Sequence, residues 1–204
     1  MKVAYLDHYD SFTYNIIDWL RSSSELEIEY LTYDDPEAVS GLFDAKRPLV
    51  LSPGPHRPIR WLTRFMVVNH LMGHVPMLGI CLGHQCIGKA LGGQIVRAKK
   101  PFHGSGQIVK IIEKSLVINS LSTSFVGAHY NSLVVARGSL DERYIWAVNE
   151  EDEIEGIWAQ PGLYPALGVQ YHPESFLSDD QSPLLNYWLE SVRGFYKERV
   201  KARQ

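Results

Sequence analysis

The sequence predicts an α/β fold with an open, mostly parallel central sheet flanked by helices and additional antiparallel strands in the C-terminal half. Two patterns lead there. Short β-rich runs alternate with helical patterns through the first half, as stacked βαβ units require, whereas the second half carries closely spaced β-type runs. With 204 residues, 45% of them hydrophobic and 21% charged, the chain has ordinary globular composition. That length supports a substantial core and predicts a single domain over residues 1–204.

Taken in order, Lys2 to Leu6 reads as a first strand, and Phe12 to Arg21 as a helix with Phe12, Ile16, Ile17 and Leu20 on one face. The loop between them, Asp7 to Ser11, then lies at the C-terminal edge of the sheet, where open α/β folds bind ligands. Glu27 to Tyr33 is a second strand, Pro36 to Phe43 a short helix, and Leu49 to Leu51 a third, fully buried strand ending in Ser52-Pro53-Gly54-Pro55. A helix around Trp61 to Met72 leads into the apolar run Val75 to Ile80, a glycine-rich turn and a helix from Leu82 to Leu91. Strands are expected at Gln107 to Ile112, Ser132 to Val135, Tyr144 to Val148, Ile154 to Ala159 and Ala166 to Tyr171. Asn149 to Asp152 is a hairpin turn between two of them. The last element is a helix from Ser182 to Lys201, with Leu184, Leu185, Trp188, Leu189 and Val192 as its core-facing stripe.

Composition also excludes several classes. A net charge of -3 gives no bulk attraction to phosphate backbones or anionic lipid, so no nucleic-acid or membrane partner is expected. The N-terminal apolar run is too short for a signal sequence, and no stretch approaches the roughly 20 apolar residues of a membrane span, which points to the cytoplasm. The two cysteines, Cys81 and Cys86, suit neither a disulfide framework nor a zinc knuckle. His70 and His74 stand four apart on a helix end without a third ligand at convincing spacing, so no metal is expected. The five tryptophans are scattered over separate elements, as packing residues are.

The chemistry-bearing residues concentrate in two segments. In Gly79-Ile80-Cys81-Leu82-Gly83, two glycines bracket a cysteine where a strand turns into a helix, a nucleophile elbow with cysteine in the serine position. Such a turn exposes the thiol and aims the following N–H groups at a developing oxyanion; the alternative is an inert thiol in a tight turn. The second segment, Gly168 to Ser175, sets His172 and Glu174 just after a strand. A thiol nucleophile needs an imidazole base, and the imidazole needs an acceptor to fix its tautomer. Pro173 stiffens the turn that lets Glu174 fold back on His172.

Together with Asp7 to Asn15, Leu51 to Pro55, Val75 to Gln85 and His103-Gly104, these segments make the chain resemble, over nearly its whole length, the class I glutamine amidotransferases that serve as component II of anthranilate synthase and aminodeoxychorismate synthase. The resemblance implies a triad of Cys81 as nucleophile, His172 as proton shuttle and Glu174 as its orienter. It further implies an oxyanion hole from the N–H groups of Gly54 and Leu82. Glutamine would be held by Gly54, Pro55, His56, Leu82, Gln85, Ser132 and Leu133. L-Glutamine would be the substrate, a chorismate-using synthase large subunit the partner, and no cofactor would be needed in this subunit.

The chain also departs from the family pattern. His56 follows Gly54-Pro55 where glycine or cysteine is usual, and His8 replaces asparagine. Ser105 replaces lysine after His103-Gly104, and His129-Tyr130-Asn131-Ser132-Leu133 stands for Arg-Tyr-His-Ser-Leu. These changes are expected on pocket walls and subunit contacts. They leave open a relative serving GMP synthesis, carbamoyl phosphate synthesis or γ-glutamyl hydrolysis, and a non-catalytic regulatory subunit with a drifted pocket. Ser52 to Pro55 and Asp10 to Asn15 favour the chorismate branch, without choosing between anthranilate and aminodeoxychorismate.

Overall fold

The computed structural model describes residues 1–55, 61–113 and 121–202. Its first half follows the expected alternation: β1 (Lys2–Asp7), α1 (Thr13–Arg21), β2 (Glu27–Thr32), α2 (Pro36–Ala45), β3 (Leu49–Leu51), α3 (Trp61–Leu71), β4 (Met77–Ile80) and α4 (Leu82–Ala90). There follow β5 (Ile95–Arg97), β6 (Ser105–Ile111), β7 (Ser124–His129), β8 (Leu133–Val135), β9 (Ile145–Val148), β10 (Ile154–Ala159), β11 (Ala166–Val169) and α5 (Ser182–Lys201).

Nine strands form one sheet in the order β2-β1-β3-β4-β11-β10-β9-β6-β7. The pairs from β2 through β11 are parallel, and those from β11 onward antiparallel. The sheet thus joins a βα-wound half to a meandering half, as the two patterns of the sequence require. Strand alternation sends Val3 and Tyr5 of β1 into one core with Ile16, Ile17 and Leu20 of α1 and Trp188, Leu189 and Val192 of α5. Ala4 and Leu6 enter the opposite core with Leu42 of α2, Val67, Val68 and Leu71 of α3, and Cys86 and Ile87 of α4. Helix α2 starts at Asp35, whose carboxylate accepts from the N–H groups of Glu37 and Ala38, with Pro36 in its first turn.

Two strands escape the sequence reading, β5 and β7. Within β7, Gly127 interrupts the β pattern because a Cβ there would lie 2.8 Å from the Tyr171 ring. β5 is only three residues long, and its partner β8 leaves the main sheet to form a separate ribbon with it. Asn149 to Asp152 does form the β9–β10 turn, with the Asn149 side chain accepting from the N–H groups of Glu151 and Glu153.

Topology fixes where a ligand can sit. Strands β1, β3, β4 and β11 are adjacent and parallel, so the segments that follow them, from His8, Ser52, Cys81 and Gln170, emerge together at one sheet edge.

Candidate active site

The β4–α4 junction is as tight as its two glycines require. Gly79 pairs in register with Leu51 on one side and Gly168 on the other. A Cβ on Gly79 would stand 2.5 Å from the Gly83 carbonyl, and one on Gly83 would stand 2.4 Å from the Leu51 carbonyl oxygen. No side chain fits either place, so the chain turns sharply and leaves Cys81 at φ 51°, ψ -99°, a conformation that costs a non-glycine residue energy. Cys81 opens helix α4, whose first N–H groups, that of Leu82 among them, have no partner within the helix.

Across the sheet edge, His172 Nδ1 and Glu174 Oε1 are 2.7 Å apart, and both side chains are almost wholly buried. The imidazole and Cys81 line the same cavity. The rings of Phe12 and Tyr130 pack against the imidazole with centroids 5.1 and 4.9 Å away, and the His172 backbone N–H donates to the Ala128 carbonyl at 2.9 Å. Burial alone would depress this imidazole, but Cys81 and the hydrogen-bonded Glu174 favour its charged form and outweigh burial, and its pKa is pushed up to about 10. An imidazolium beside a thiol is the arrangement that a thiolate nucleophile needs.

A cavity of about 550 Å³ opens over Cys81 and His172, walled by the Tyr9 to Phe12 loop, Gly54, Pro55, His103 and Tyr130. Gly54 lies so close to His8 and Leu82 that a Cβ would come within 2.6 Å of the His8 side chain and 3.2 Å of Leu82 Cδ2. The two expected oxyanion-hole residues are therefore neighbours. Asp10 also faces this cavity, and burial raises its carboxyl above the usual range against the pull of the Phe12 N–H and of His172.

The expected glutamine-binding residues divide. Gly54, Pro55 and Leu82 sit at or beside the cavity. Ser132 and Leu133 instead line a second cavity of about 480 Å³ with Arg97, Ala98 and Pro101. Gln85 is fully buried between the two, and its amide reaches the Leu133 carbonyl. His56 lies outside the described residues.

Three departures from the family pattern turn out to be interior. His8 is buried beside Ser52, its Nδ1 2.9 Å from the hydroxyl oxygen, and stacks on Tyr33. His129 is buried with Nε2 2.7 Å from Glu155 Oε2. Burial works against its charge, yet Glu155 holds the imidazole above its usual range. Asn131 is buried and donates to the Leu133 carbonyl at 3.1 Å. These side chains shape the interior beneath the site, whereas Ser105 stays half-exposed at the start of β6. His70 packs against Phe43, and no cluster of three or more metal-type side chains occurs among the described residues. No helix there is long and apolar enough to cross a membrane.

Sequence reasoning set the Asp7 to Ser11 loop at the ligand edge and the His129 to Leu133 segment on pocket walls and subunit contacts, but did not single out Asp10, Phe12 and Tyr130 as site walls or Gln170, whose amide approaches the Cys81 sulfur at 3.6 Å. One signal was available for Gln170, since two-residue strand alternation sends residues 170 and 172 to the same side.

Comparison with known proteins gives the family. The family model described as glutamine amidotransferase class-I matches residues 4–191. The chain is 38% identical to the bifunctional protein TrpGD of Thermotoga maritima, over 92% of this chain and 32% of that protein, so it spans about a third of that relative. It is 35% identical to anthranilate synthase component 2 of Pseudomonas putida, over 95% of this chain and 99% of that one. It is likewise 35% identical to aminodeoxychorismate synthase component 2 of Escherichia coli, over 92% and 98%. A solved glutamine amidotransferase from Thermotoga maritima superposes with a TM-score of 0.67 at 17% identity, covering 98% of this chain and 85% of that one, a likeness of fold. With a family match across most of its length and relatives of this identity, the chain belongs to the class-I glutamine amidotransferase family.

Proposed function

We propose that this chain is the glutamine-hydrolysing subunit of a chorismate-using synthase, making anthranilate or 4-amino-4-deoxychorismate. The observation that carries the reading is the strained Cys81 sharing an open cavity with an imidazole that Glu174 orients at 2.7 Å. In this reading the Cys81 thiolate attacks the side-chain amide carbon of L-glutamine, and the oxyanion forms toward the N–H groups of Gly54 and Leu82. His172 protonates the departing nitrogen, which leaves as ammonia, and a γ-glutamyl thioester remains. A water that gives its proton to His172 then attacks the thioester, and glutamate leaves as the sulfur regains its charge. These steps ask for no cofactor. Pro55 and His56 would hold the rest of the glutamine beside Cys81, and Ser132 and Leu133 would reach it from the second cavity that they line, with Gln85 buried behind them. Names of the relatives, component 2 of anthranilate and of aminodeoxychorismate synthase, support the choice of partner.

The test is Cys81→Ser in complex with the synthase partner. Glutamine-dependent product formation is expected to vanish while synthesis from added ammonium salt persists, because the partner needs only ammonia. A purified Cys81→Ser chain that still hydrolyses glutamine at a substantial rate refutes the nucleophile assignment.

A further inference from the structure

Beneath the site runs a buried chain of hydrogen bonds that the steps above do not use. The Gln85 amide nitrogen donates to the Leu133 carbonyl at 2.9 Å and to Gln170 Oε1 at 3.1 Å. Gln170 in turn donates Nε2 to Cys81 Sγ at 3.6 Å, and both glutamine side chains are fully buried.

The polarity of this chain is determined from one end. A backbone carbonyl can only accept, so the Leu133 end must meet the NH2 of Gln85. That NH2 also faces Gln170, which must answer with its oxygen. Only the Gln170 NH2 is then left for the sulfur. Flipping Gln170 would set NH2 against NH2 and oxygen against sulfur. Position is fixed as firmly as polarity: the Cys81 N–H donates to the Val169 carbonyl at 2.8 Å and the Gln170 N–H to the Glu155 carbonyl at 2.9 Å. Sulfur and amide thus rise from the ends of two paired strands, β4 and β11.

We propose that Gln170 is a further member of the catalytic apparatus, its amide N–H holding the Cys81 sulfur in place and stabilising the sulfur's negative charge. A donor hydrogen bond favours the charged form of its acceptor, so this amide supports the thiolate, a role distinct from that of His172 as proton carrier. Gln85 acts one step away, by fixing which end of the Gln170 amide faces the sulfur. The inference rests on Cys81 being the nucleophile.

The test compares the wild-type chain with Gln170→Met, which keeps the volume and removes the donor, and Gln170→Asn, which keeps an amide but withdraws it by one methylene. Iodoacetamide modification of Cys81 is followed from pH 6 to 10 by peptide mass spectrometry, with fragmentation separating Cys81 from Cys86. Loss of one hydrogen bond to a charged group should slow modification at neutral pH by about tenfold and move its pH profile upward by about one unit in both variants. Glutamine kcat should fall by about the same factor, with KM changed less than about twofold, because the amide touches sulfur and not the bound glutamine. Gln85→Leu should slow modification in the same direction by a smaller factor. Folded Gln170→Met or Gln170→Asn protein that keeps the wild-type modification profile and kcat overturns the proposal. Should the methionine variant fail to fold, the asparagine variant decides alone. Modification requires neither glutamine nor partner, so a wild-type chain that hydrolyses no glutamine would count against the proposed reaction and leave the Gln170 comparison readable.

Discussion

His172 and His84 are buried imidazoles of opposite fate. His84 is fully buried against Gly168, and burial lowers it to about 4. His172 gains Cys81 and Glu174 and rises to about 10. Against an unfolded value of about 6.5, a raised imidazole adds stability that is complete below that pH and is lost as pH rises through its folded pKa. A lowered imidazole works the other way, and its stability is lost as pH falls from about 6.5 toward 4. The stability difference between wild type and His172→Gln should therefore be greatest at or below pH 6.5 and shrink toward pH 10, as measured by urea unfolding across that range. A difference that grows with pH would mean that His172 is held neutral. Activity separates the triad partners as well. His172→Ala should reduce thioester formation more than Glu174→Ala, since the first removes the proton carrier and the second leaves it misdirected. Rapid-quench measurement of the thioester decides, and near-wild-type rates in His172→Ala would assign the base elsewhere.

At the scale of the element, the strand-turn-helix junction and helix α2 make opposite use of glycine. Gly83 has the Leu51 carbonyl where a Cβ would go, so Gly83→Ala must shift backbone and should cost about 1–3 kcal/mol or more. Because the shift displaces Cys81 and Leu82 together, glutamine hydrolysis should fall with it. Gly41 lies within α2 with nothing within 4 Å of its Cβ position. Gly41→Ala should therefore stabilise the chain by about 0.5–1 kcal/mol without touching activity. Denaturant midpoints at equal m-value provide the comparison; a stabilised Gly83→Ala would show that the junction is looser than its contacts. The paired glycines were visible in the sequence, but the carbonyl that enforces the second one belongs to a strand 32 residues earlier.

For the molecule as a whole, the proposed site sits on an open sheet edge whose wall includes the exposed aromatic side chain of Tyr9, at 54% exposure. Ammonia is wasted unless an acceptor is ready, so a glutaminase without its own acceptor site gains from being idle when alone. Partner binding over this edge is expected to raise glutamine turnover, and a coupling of about 1–3 kcal/mol would give roughly 5- to 150-fold activation. Steady-state rates for the chain alone, with its synthase partner, and with partner plus chorismate test this. Equal rates in a complex that demonstrably forms would exclude partner-gated hydrolysis.

The sequence by itself determined the parallel half of the sheet, the elbow at Cys81 and the His172–Glu174 pair, because each depends on neighbours in the chain: an apolar period, two glycines four apart, a proline-stiffened turn. Tertiary structure alone decided the rest. It put His8, His129 and Asn131 inside, where a sequence reading expects pocket walls and subunit contacts: Ser52 and Glu155 come from distant segments to meet His8 and His129, while the buried Asn131 amide meets the Leu133 carbonyl two residues away. It also set Ser132 and Leu133 in the lining of a second cavity and joined the Leu133 carbonyl to the Cys81 sulfur through Gln85 and Gln170. Local pattern specifies which way a side chain points along its own element. The partner it meets is specified by strand order and register, which arise only when the whole chain closes its core.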